Sequence, residues 1–571
     1  MAEARAARFL QQSTFGYTKT QAEQLASRII EVGQRAAFEQ WIDGQFLLTP
    51  TLHLSTMREM LVDDGVDLDD GENHVSIYNA DDYRYHAWWD IALNSPDQLT
   101  QRIAWALAQI FVVNDFDSRY RSSDPDAFGV LRYFGASYYY DTLVQGSSGS
   151  YPALLEAVSK HPVMGEFLSH VNNRKASGSR FPDENFAREI MQLFSIGIHE
   201  LAPNGELLLD DSGGLIETYS NATIRTLARV FTGWHYAGES PGRNNPTWSQ
   251  PMVVDPSRHD EDEKDLTDLR NGILIPAATA AEQELTLVVN MLTGHPNTAP
   301  FISRLLIQRF TMSSPPAAYV EEVADVFRAT NGNFQAVVKT LLLSEHNLDN
   351  YEYQPIVSTR SGRTIGMQIF NGGTERTRLI EPVIRLTQFL KLFNASSDYT
   401  GGRIALPNLE DDIGQSPYRS PTVFNFYSPF YPGIPPLSDY VPIDVVQDTL
   451  VVPEFELVDT TTIIDSADFY REWILDALDD GNFFRLQYGG GNRVEREMNV
   501  LLDFQPWQNI LDRQRMRALL DQLNIHLCGG NFTQDFLRDV YRIVRSEAES
   551  PSDYVPGTIL AILESPACLV R

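Results

Sequence analysis

Apolar residues recur at helical spacing along most of the chain, and this pattern predicts a mainly α-helical protein. Residues 4–47 predict two helices, with a break at 16–18 and Thr20 as the N-cap of the second helix. Residues 82–114 predict a second pair, which restarts at Ser95-Pro96. The same spacing continues further along the chain. It predicts helices at 133–170, interrupted at 146–150, and at 221–231, 280–292, 300–310, 317–329 and 333–343.

Two stretches break the helical pattern. An Asn204-Gly205 turn flanked by apolar residues predicts a small β-ribbon near 199–219. Residues 408–459 are rich in Pro, Gly and aromatic side chains, which predicts an irregular but ordered segment. The sequence therefore predicts a large multi-helix assembly in three regions. These are a main helical region at 1–407, the irregular segment at 408–459, and a C-terminal helical region at 460–571 packed on the main region.

Composition and charge exclude several classes of protein. The 571 residues include 45 basic and 76 acidic side chains, for a formal net charge of −31. Such a chain is a poor match for nucleic acid or an anionic membrane surface. No apolar run is long enough for a membrane span, and no charged-then-apolar leader follows Met1, so we expect neither a span nor an export signal in the chain as given. Two cysteines exclude a disulfide framework and a Cys-rich metal site.

The most informative segment is 182–196 (PDENFAREIMQLFSI). On a helix, its polar side chains share a sector of roughly 140° and apolar residues fill the rest. The polar set is Glu184, Asn185, Arg188, Glu189 and Gln192. We call this set the polar stripe. A narrow stripe of carboxylate, amide and guanidinium groups is typical of a cleft wall, but local pairing of Glu184 with Arg188 explains it equally well.

Glu189 carries the sharpest expectation within the stripe. Its helix is apolar over the rest of the circumference, so the side chain should be shielded from water. A shielded carboxylate needs a cationic or hydrogen-bonding partner. Arg188 points about 100° away on the helix, so we expect that partner to come from His161, His259, Arg225 or Arg229.

A second candidate site is the loop that contains His259, Asp260 and Lys264. A histidine beside carboxylates can act as a general base or a metal ligand, and a nearby lysine can stabilise an anion. The run 259–265 (HDEDEKD) is so highly charged that a solvated loop is the alternative. The spacing matches no zinc motif, and no cofactor is predicted. A divalent metal is left open, although no motif supports one.

Familiar catalytic motifs are absent from the sequence. There is no Gly-x-Ser-x-Gly elbow, phosphate loop, dinucleotide fingerprint or His-Glu-x-x-His. Other long motifs are present. They are 7–16 (ARFLQQSTFG), 102–113 (RIAWALAQIFVV), 182–196, 227–234 (LARVFTGW), 295–308 and 420–427 (SPTVFNFY). In this order they resemble the large bacterial domain-of-unknown-function family numbered 1800, and the resemblance covers essentially the whole chain.

The resemblance implies a mostly helical, usually exported protein with no established activity. Genes of this family commonly sit beside those of a sulfatase-like exported protein. Family members commonly carry His-Asp-Thr-Gly-x-Lys where this chain has His259, Asp260 and Lys264 without the Thr and Gly. The implied location is the periplasm or cell exterior. Cys528 and Cys568 are then candidates for a disulfide.

Two hypotheses for function follow from these observations. The first is an exported hydrolase of an extracellular polymer, in which Glu184, Asn185, Arg188 and Glu189 converge with the His259 loop on one cleft. The second is a non-catalytic envelope or secretion partner of a sulfatase-like exported protein, in which the polar stripe is structural. The position of Glu189 relative to His259 distinguishes the two.

Overall fold

Most of the chain is described by a computed structural model. The described residues are 2–65, 82–114, 125–238, 247–348, 351–357, 364–371, 378–431, 451–479, 482–488, 496–514, 516–530, 532–548, 553–565 and 568–569. Helices dominate these residues, and the sheets are small. The predicted mainly α fold is confirmed.

The N-terminal part forms six helices. They are α1 (Ala2–Ser13), α2 (Lys19–Val32), α3 (Gln34–Phe46), α4 (His53–Asp63), α5 (Tyr83–Asn94) and α6 (Gln98–Ala108). The prediction of two helices within 4–47 is wrong because Gly33, at φ 87°, separates α2 from α3 in a conformation that favours glycine. The predicted N-cap is also two residues off. Thr18, not Thr20, caps α2 and forms a reciprocal capping box with Gln21.

Ten helices follow before the first long hairpin. They are α7 (Pro125–Gly146), α8 (Tyr151–Ser159), α9 (Pro162–Phe167), α10 (Asn185–Gln192), α11 (Asn221–Val230), α12 (Ala281–Thr293), α13 (Thr298–Phe310), α14 (Ala317–Ala329), α15 (Phe334–Leu343) and α16 (Glu345–Leu348). The helices predicted from 221 to 343 are confirmed to within two residues at each end. Their amphipathic spacing explains this agreement, since each buries one apolar face.

The C-terminal part contains seven helices. They are α17 (Pro382–Leu392), α18 (Glu410–Ile413), α19 (Thr460–Asp479), α20 (Gln505–Gln514), α21 (Met516–Cys528), α22 (Gln534–Glu547) and α23 (Tyr554–Leu563). Between α17 and α19, the described residues are largely irregular, as predicted. The predicted region boundaries at 407 and 459 stay predictions.

In the described part of the chain, nine short strands form four sheets. They are β1 (Trp234–His235), β2 (Val253–Val254), β3 (Lys264–Asp265), β4 (Leu274–Ile275), β5 (Tyr351–Val357), β6 (Thr364–Asn371), β7 (Ser396–Ser397), β8 (Asn482–Tyr488) and β9 (Arg496–Leu501). All pairs are antiparallel: β1 with β2, β3 with β4, β5 with β6, and β9 with both β7 and β8. The expectation of a helical C-terminal region is therefore wrong at 482–488 and 496–501, where β8 and β9 lie.

The predicted ribbon near 199–219 forms with isolated bridges instead of regular strands. Three antiparallel bridges join His199 to Glu217, Leu201 to Leu207, and Leu209 to Leu215. Gly205 takes a φ of 82° at the predicted turn. The segment folds back twice, and no continuous ladder develops.

Two large groups of buried apolar residues form the core. The first draws on α1–α3 and on the helices from α6 to α15, with residues such as Phe38, Leu306 and Val338. The second combines α5 and α17 with the C-terminal helices, where Trp88 and Leu519 are members. Through the second group, the C-terminal helices pack against the N-terminal part of the chain.

A cluster of charged side chains is buried where α6, α13 and α17 meet. Its members are Arg102, Arg309, Arg378, Glu381 and Glu454. Arg378 binds both carboxylates, and its Nε donates to Glu454 at 3.1 Å. Glu381 also accepts hydrogen bonds from Trp105 and Gln109 at 2.9 and 2.7 Å. Burial alone would raise the pKa of Glu381, but the neighbouring guanidinium groups lower it below its ordinary value.

A disulfide joins Cys528, at the end of α21, to Cys568 near the C-terminus. The two sulfurs are buried in the second core group. Separately, none of the described helices combines the length and apolarity that a bilayer crossing requires.

Candidate functional site

The polar stripe lies on α10, which spans Asn185–Gln192 and is shorter at both ends than the predicted 182–196. Just before the helix, the Asp183 carboxylate accepts a hydrogen bond at 2.8 Å from the backbone of Asn185, the first helical residue. Glu184 lies 4.0 Å from Arg188, so the predicted local pair forms. Asn185 is exposed. The outer part of the stripe thus faces water and is paired locally.

Glu189 lies on the shielded side of the stripe. It is 6% exposed, so the expected shielding is confirmed. Burial raises the pKa of its carboxyl to about 7, against a smaller lowering by Arg188. The Oε2 atom is buried and has no hydrogen-bond partner among the described residues. Tyr219 lies nearby. Burial and, to a lesser extent, the Glu189 charge raise the pKa of Tyr219 to about 12.

Among the described residues, none of the four predicted partners forms a hydrogen bond or an ion pair with Glu189. Arg225 lies 3.8 Å from Glu184, and Arg229 binds Asp260 at 2.8 Å. The other two candidates are used elsewhere as well. His161 caps α9 through its Nδ1, and His259 faces α12. The expectation of a distant partner was therefore wrong, because each of the four candidates binds or faces a different group.

The second candidate site folds into a closed polar cluster. Lys264 is fully buried, and its ammonium donates to the Asp260 and Asp262 carbonyls at 2.6 and 3.1 Å. It also binds the Glu284 carboxylate at 2.6 Å. All three donors of the ammonium are therefore used inside the protein. The exposed-loop interpretation holds for Asp262, which is 93% exposed, but not for Lys264.

Asp260 connects this cluster to α11. Its carboxylate accepts two hydrogen bonds from Arg229, at 3.0 and 2.8 Å, in the bidentate arrangement that guanidinium groups favour. Burial works to raise the pKa of Asp260, but Arg229 lowers it below its ordinary value. The pair holds the loop against the last turn of α11.

His259 and Glu284 complete the cluster. The His259 ring is 3% exposed, and its Nδ1 lies 2.9 Å from the Thr232 carbonyl. Its Nε2 lies 3.4 Å from Oε2 of Glu284. Since a carbonyl can only accept, Nδ1 carries the hydrogen of that bond, and Nε2 is the ring nitrogen that faces Glu284.

Sequence reasoning missed Glu284, the residue that links His259 to Lys264. A signal was present in the sequence. Glu284 shares helical spacing with the buried Ala281 and Val288, so it lies on the apolar face of α12. A carboxylate in that position must find a cation inside the fold. Lys264 is that cation.

The stripe and the His259 loop both contact α11. Arg225 and Arg229 lie one turn apart on this helix and reach Glu184 and Asp260, respectively. The structure thus brings the outer stripe and the loop onto neighbouring turns of α11. Glu189 makes no hydrogen bond or ion pair with His259, Asp260 or Lys264 in the described residues.

In the described ranges, no group of three or more His, Cys, Asp or Glu side chains is arranged to hold a metal ion. His259 and Glu284 lie close together, but Lys264 already binds the other oxygen of that carboxylate. These residues do not fit a divalent cation, because an ammonium stands where a further ligand would be needed.

Comparison with known proteins identifies a family and nothing narrower. A family model described as protein of unknown function (DUF1800) matches residues 8–570, which is nearly the whole chain. The chain belongs to this family. No curated protein matches it, and no solved structure matches it.

Proposed function

We propose that this protein is an exported enzyme that hydrolyses an extracellular polymer, with Glu189 as its general acid and base. The supporting observation is the state of that carboxyl group. It is 6% exposed, its pKa is raised to about 7, and one of its oxygens lacks a hydrogen-bond partner among the described residues. The buried carboxylates of Glu284 and Glu381 instead bind the cations Lys264 and Arg378.

A carboxyl group with a pKa near 7 is suited to proton transfer at neutral pH. In its protonated form, Glu189 donates to the leaving oxygen of the polymer. In its ionised form, it accepts a proton from the attacking water. Arg188, one residue away, adds positive charge beside the group, and Tyr219 donates a hydrogen bond to Gln192 at 3.1 Å on the same stripe.

We assign the loop of His259, Asp260 and Lys264 a positioning role in this proposal. Its polar groups are bound to one another, to Arg229 and to Glu284. Through Arg229 it fixes α11, and α11 packs against α10, which carries the stripe. The loop therefore acts on the geometry of the stripe without touching the polymer.

A location outside the cytoplasm fits two features of the chain. Disulfides persist in oxidising compartments, and the chain carries one between Cys528 and Cys568. The chain is also strongly acidic, and only six of its 45 basic residues are lysines, a composition that disfavours binding to nucleic acid. Both features support an exported protein in the periplasm or beyond the cell.

A screen of the purified protein against polysaccharides, with and without divalent metal, tests the proposal. Release of new reducing ends is the measurement. We expect Glu189→Gln to abolish the activity found and Glu282→Gln to retain it, since Glu282 is an exposed residue on α12. Full activity of Glu189→Gln would contradict the proposed role of Glu189. Turnover of no polysaccharide by the wild type would contradict the substrate class.

The alternative function is a non-catalytic envelope or secretion partner of a sulfatase-like exported protein. The closure of the His259 cluster favours it, because a buried and fully bound lysine is typical of structural residues. Cross-linking in the native envelope, followed by purification of the tagged chain, tests this alternative. Recovery of the sulfatase-like protein with wild type and Glu189→Gln alike, together with an inactive wild type, would support it.

A further inference from the structure

A large cleft lies away from the polar stripe, between α2, α3, the loop that joins α5 to α6, and the end of α17. Its volume is about 610 Å³, within the range of roughly 300–1,000 Å³ that small-molecule sites occupy. Gly16 lines the cleft and has a φ of 133°. A Cβ there would lie 2.6 Å from the Gln388 backbone, so only glycine lets this segment approach α17 so closely.

The charge of the cleft differs from that of the whole molecule. The chain carries 76 acidic residues, yet none of the residues that line the cleft is acidic. Two of them are cationic, Arg28 and Lys391. Arg28 is already bound by Glu31 at 2.8 Å and Gln40 at 2.9 Å. The Lys391 ammonium makes no hydrogen bond or ion pair with any described residue, although its side chain is partly buried.

The polar groups of the cleft wall fall into two sets. The side-chain amides of Gln45 and Gln98 already donate hydrogen bonds to backbone carbonyls, those of Pro96 and Ala92 respectively. Gln24 and Asn394 are exposed, and their side chains make no hydrogen bond in the described part of the molecule. The second set is thus available to a ligand.

Trp41 supplies an apolar wall. Its ring packs edge-on against Phe9, with ring centroids 5.3 Å apart, and remains only partly buried at the cleft. The carbon–hydrogen face of a sugar ring packs on such an aromatic surface, while amide side chains bind its hydroxyl groups.

From these observations we infer that the cleft binds an oligosaccharide that carries a carboxylate, with Lys391 as the counter-ion, Gln24 and Asn394 as hydroxyl ligands, and Trp41 as the stacking surface. The absence of acidic lining residues admits an anion to an otherwise acidic protein. One unpaired ammonium among several amides suits a uronic acid better than a phosphate, which favours several cations or a guanidinium fork. The inference stands independently of the proposed hydrolase activity.

The protonation of Lys391 adds a testable pH dependence. Burial lowers the pKa of Lys391 to about 7. The other titratable groups on the cleft wall are Arg28 and Tyr17, and the lining residues from α3, from the α5–α6 loop and from the end of α17 add none. A bound carboxylate favours the charged ammonium, so binding takes up a proton. Affinity should therefore fall as the pH rises above about 7.

Calorimetric titration of the full chain with trigalacturonate tests the inference. We expect binding of trigalacturonate at pH 6, weaker binding at pH 8.5, and little binding of the fully methyl-esterified trisaccharide. Lys391→Met should lower the affinity by about tenfold or more, because it removes a charge-assisted hydrogen bond. Lys160→Met is the matched control, since Lys160 lies outside the cleft and is paired with Glu156.

Three outcomes would overturn the inference. They are no binding of trigalacturonate by the wild type, equal binding of the acid and its methyl ester, and unchanged affinity in Lys391→Met. A circular dichroism spectrum and a thermal melt of each variant separate loss of binding from loss of folding.

Discussion

Glu189 differs from the buried Glu284 and Glu381 in its surroundings. Glu284 contacts Lys264, and Glu381 contacts Arg378. Arg188, on the same helix, lowers the pKa of Glu189, but by less than burial raises it. The ionised form of Glu189 is therefore disfavoured in the folded protein.

This difference predicts that Glu189→Gln stabilises the protein at alkaline pH. The folded carboxyl has a pKa of about 7, above its ordinary 4.5, so ionising it costs more in the folded state than in the unfolded chain. At pH 8 the substitution should raise the free energy of unfolding by about 1–3 kcal/mol, and at pH 4 it should change little. Urea unfolding at both pH values is the measurement. Equal destabilisation at both would mean that a bound partner of Glu189 had been lost.

The opposite effect is expected at Glu381. Glu381→Gln removes the carboxylate charge that pairs with the buried Arg378 and Arg102. We expect the free energy of unfolding to fall by about 3–5 kcal/mol. Glu345→Gln is the control, because its pair with Arg35 is exposed and should be worth at most about 1 kcal/mol. Comparable urea midpoints for the two variants would contradict the importance of the buried cluster.

At the scale of one element, α2 depends on its N-terminal cap. The Thr18 hydroxyl accepts a hydrogen bond from the Gln21 backbone, and the Gln21 side-chain oxygen accepts one from the Thr18 backbone. Thr18→Ala should lower stability by about 1 kcal/mol. Thr20→Ala, two residues into the helix, should leave stability unchanged or slightly higher, because alanine is the better helix former. A thermal melt of the two variants compares them directly, and the reverse order would place the cap at Thr20.

Helices were predictable from the sequence because each buries one face of a regular repeat. α14 and α15 show this, since their buried residues recur at three and four positions. The ends of the helices were less predictable. At the start of α10, the Asp183 carboxylate accepts a hydrogen bond from the Asn185 backbone, a local contact that periodicity does not report.

The hairpin of β8 and β9 was missed for a different reason. Its first strand, NFFRLQY, alternates only over part of its length, and its apolar residues also suit a short helix. The run of three glycines at 489–491 between the strands was the overlooked signal, since glycine runs favour turns.

In the candidate site, contacts between residues close in sequence were predictable, and contacts between distant segments were not. The pair of Glu184 and Arg188 follows from their spacing of four residues on one helix. The bond between Lys264 and Glu284 spans twenty positions and depends on how α12 packs, which no local spacing encodes.

At the scale of the whole molecule, buried histidines make the fold sensitive to acid. Burial lowers the pKa of five histidines from 6.5 to about 3 or 4. They are His53, His86, His161, His170 and His295. Each stays neutral in the folded state at a pH where the unfolded chain is charged. Their neutrality therefore costs no stability above pH 6.5, and stability is lost progressively as the pH falls from there toward about 4.

Three buried carboxyl groups oppose this trend. Burial raises the pKa of Asp90, and it raises the pKa of Asp141 and of Glu189 to about 7, so all three gain stability over the same fall in pH. The histidines outnumber them, and we expect a net loss. The urea midpoint measured from pH 7.5 to pH 4.5 should fall continuously. A urea midpoint that rises as the pH falls from 7.5 to 4.5 would contradict the burial of the histidines.

The disulfide between Cys528 and Cys568 has a further consequence. The two cysteines are 40 positions apart, and the segment between them includes α22 and α23, whose apolar faces belong to the second core group. A protease that cuts once between the two cysteines therefore produces no free fragment. The severed tail stays attached both by the covalent bridge and by its buried side chains. Nicked molecules would then migrate at full size on a non-reducing gel, and the cut would become visible only after reduction.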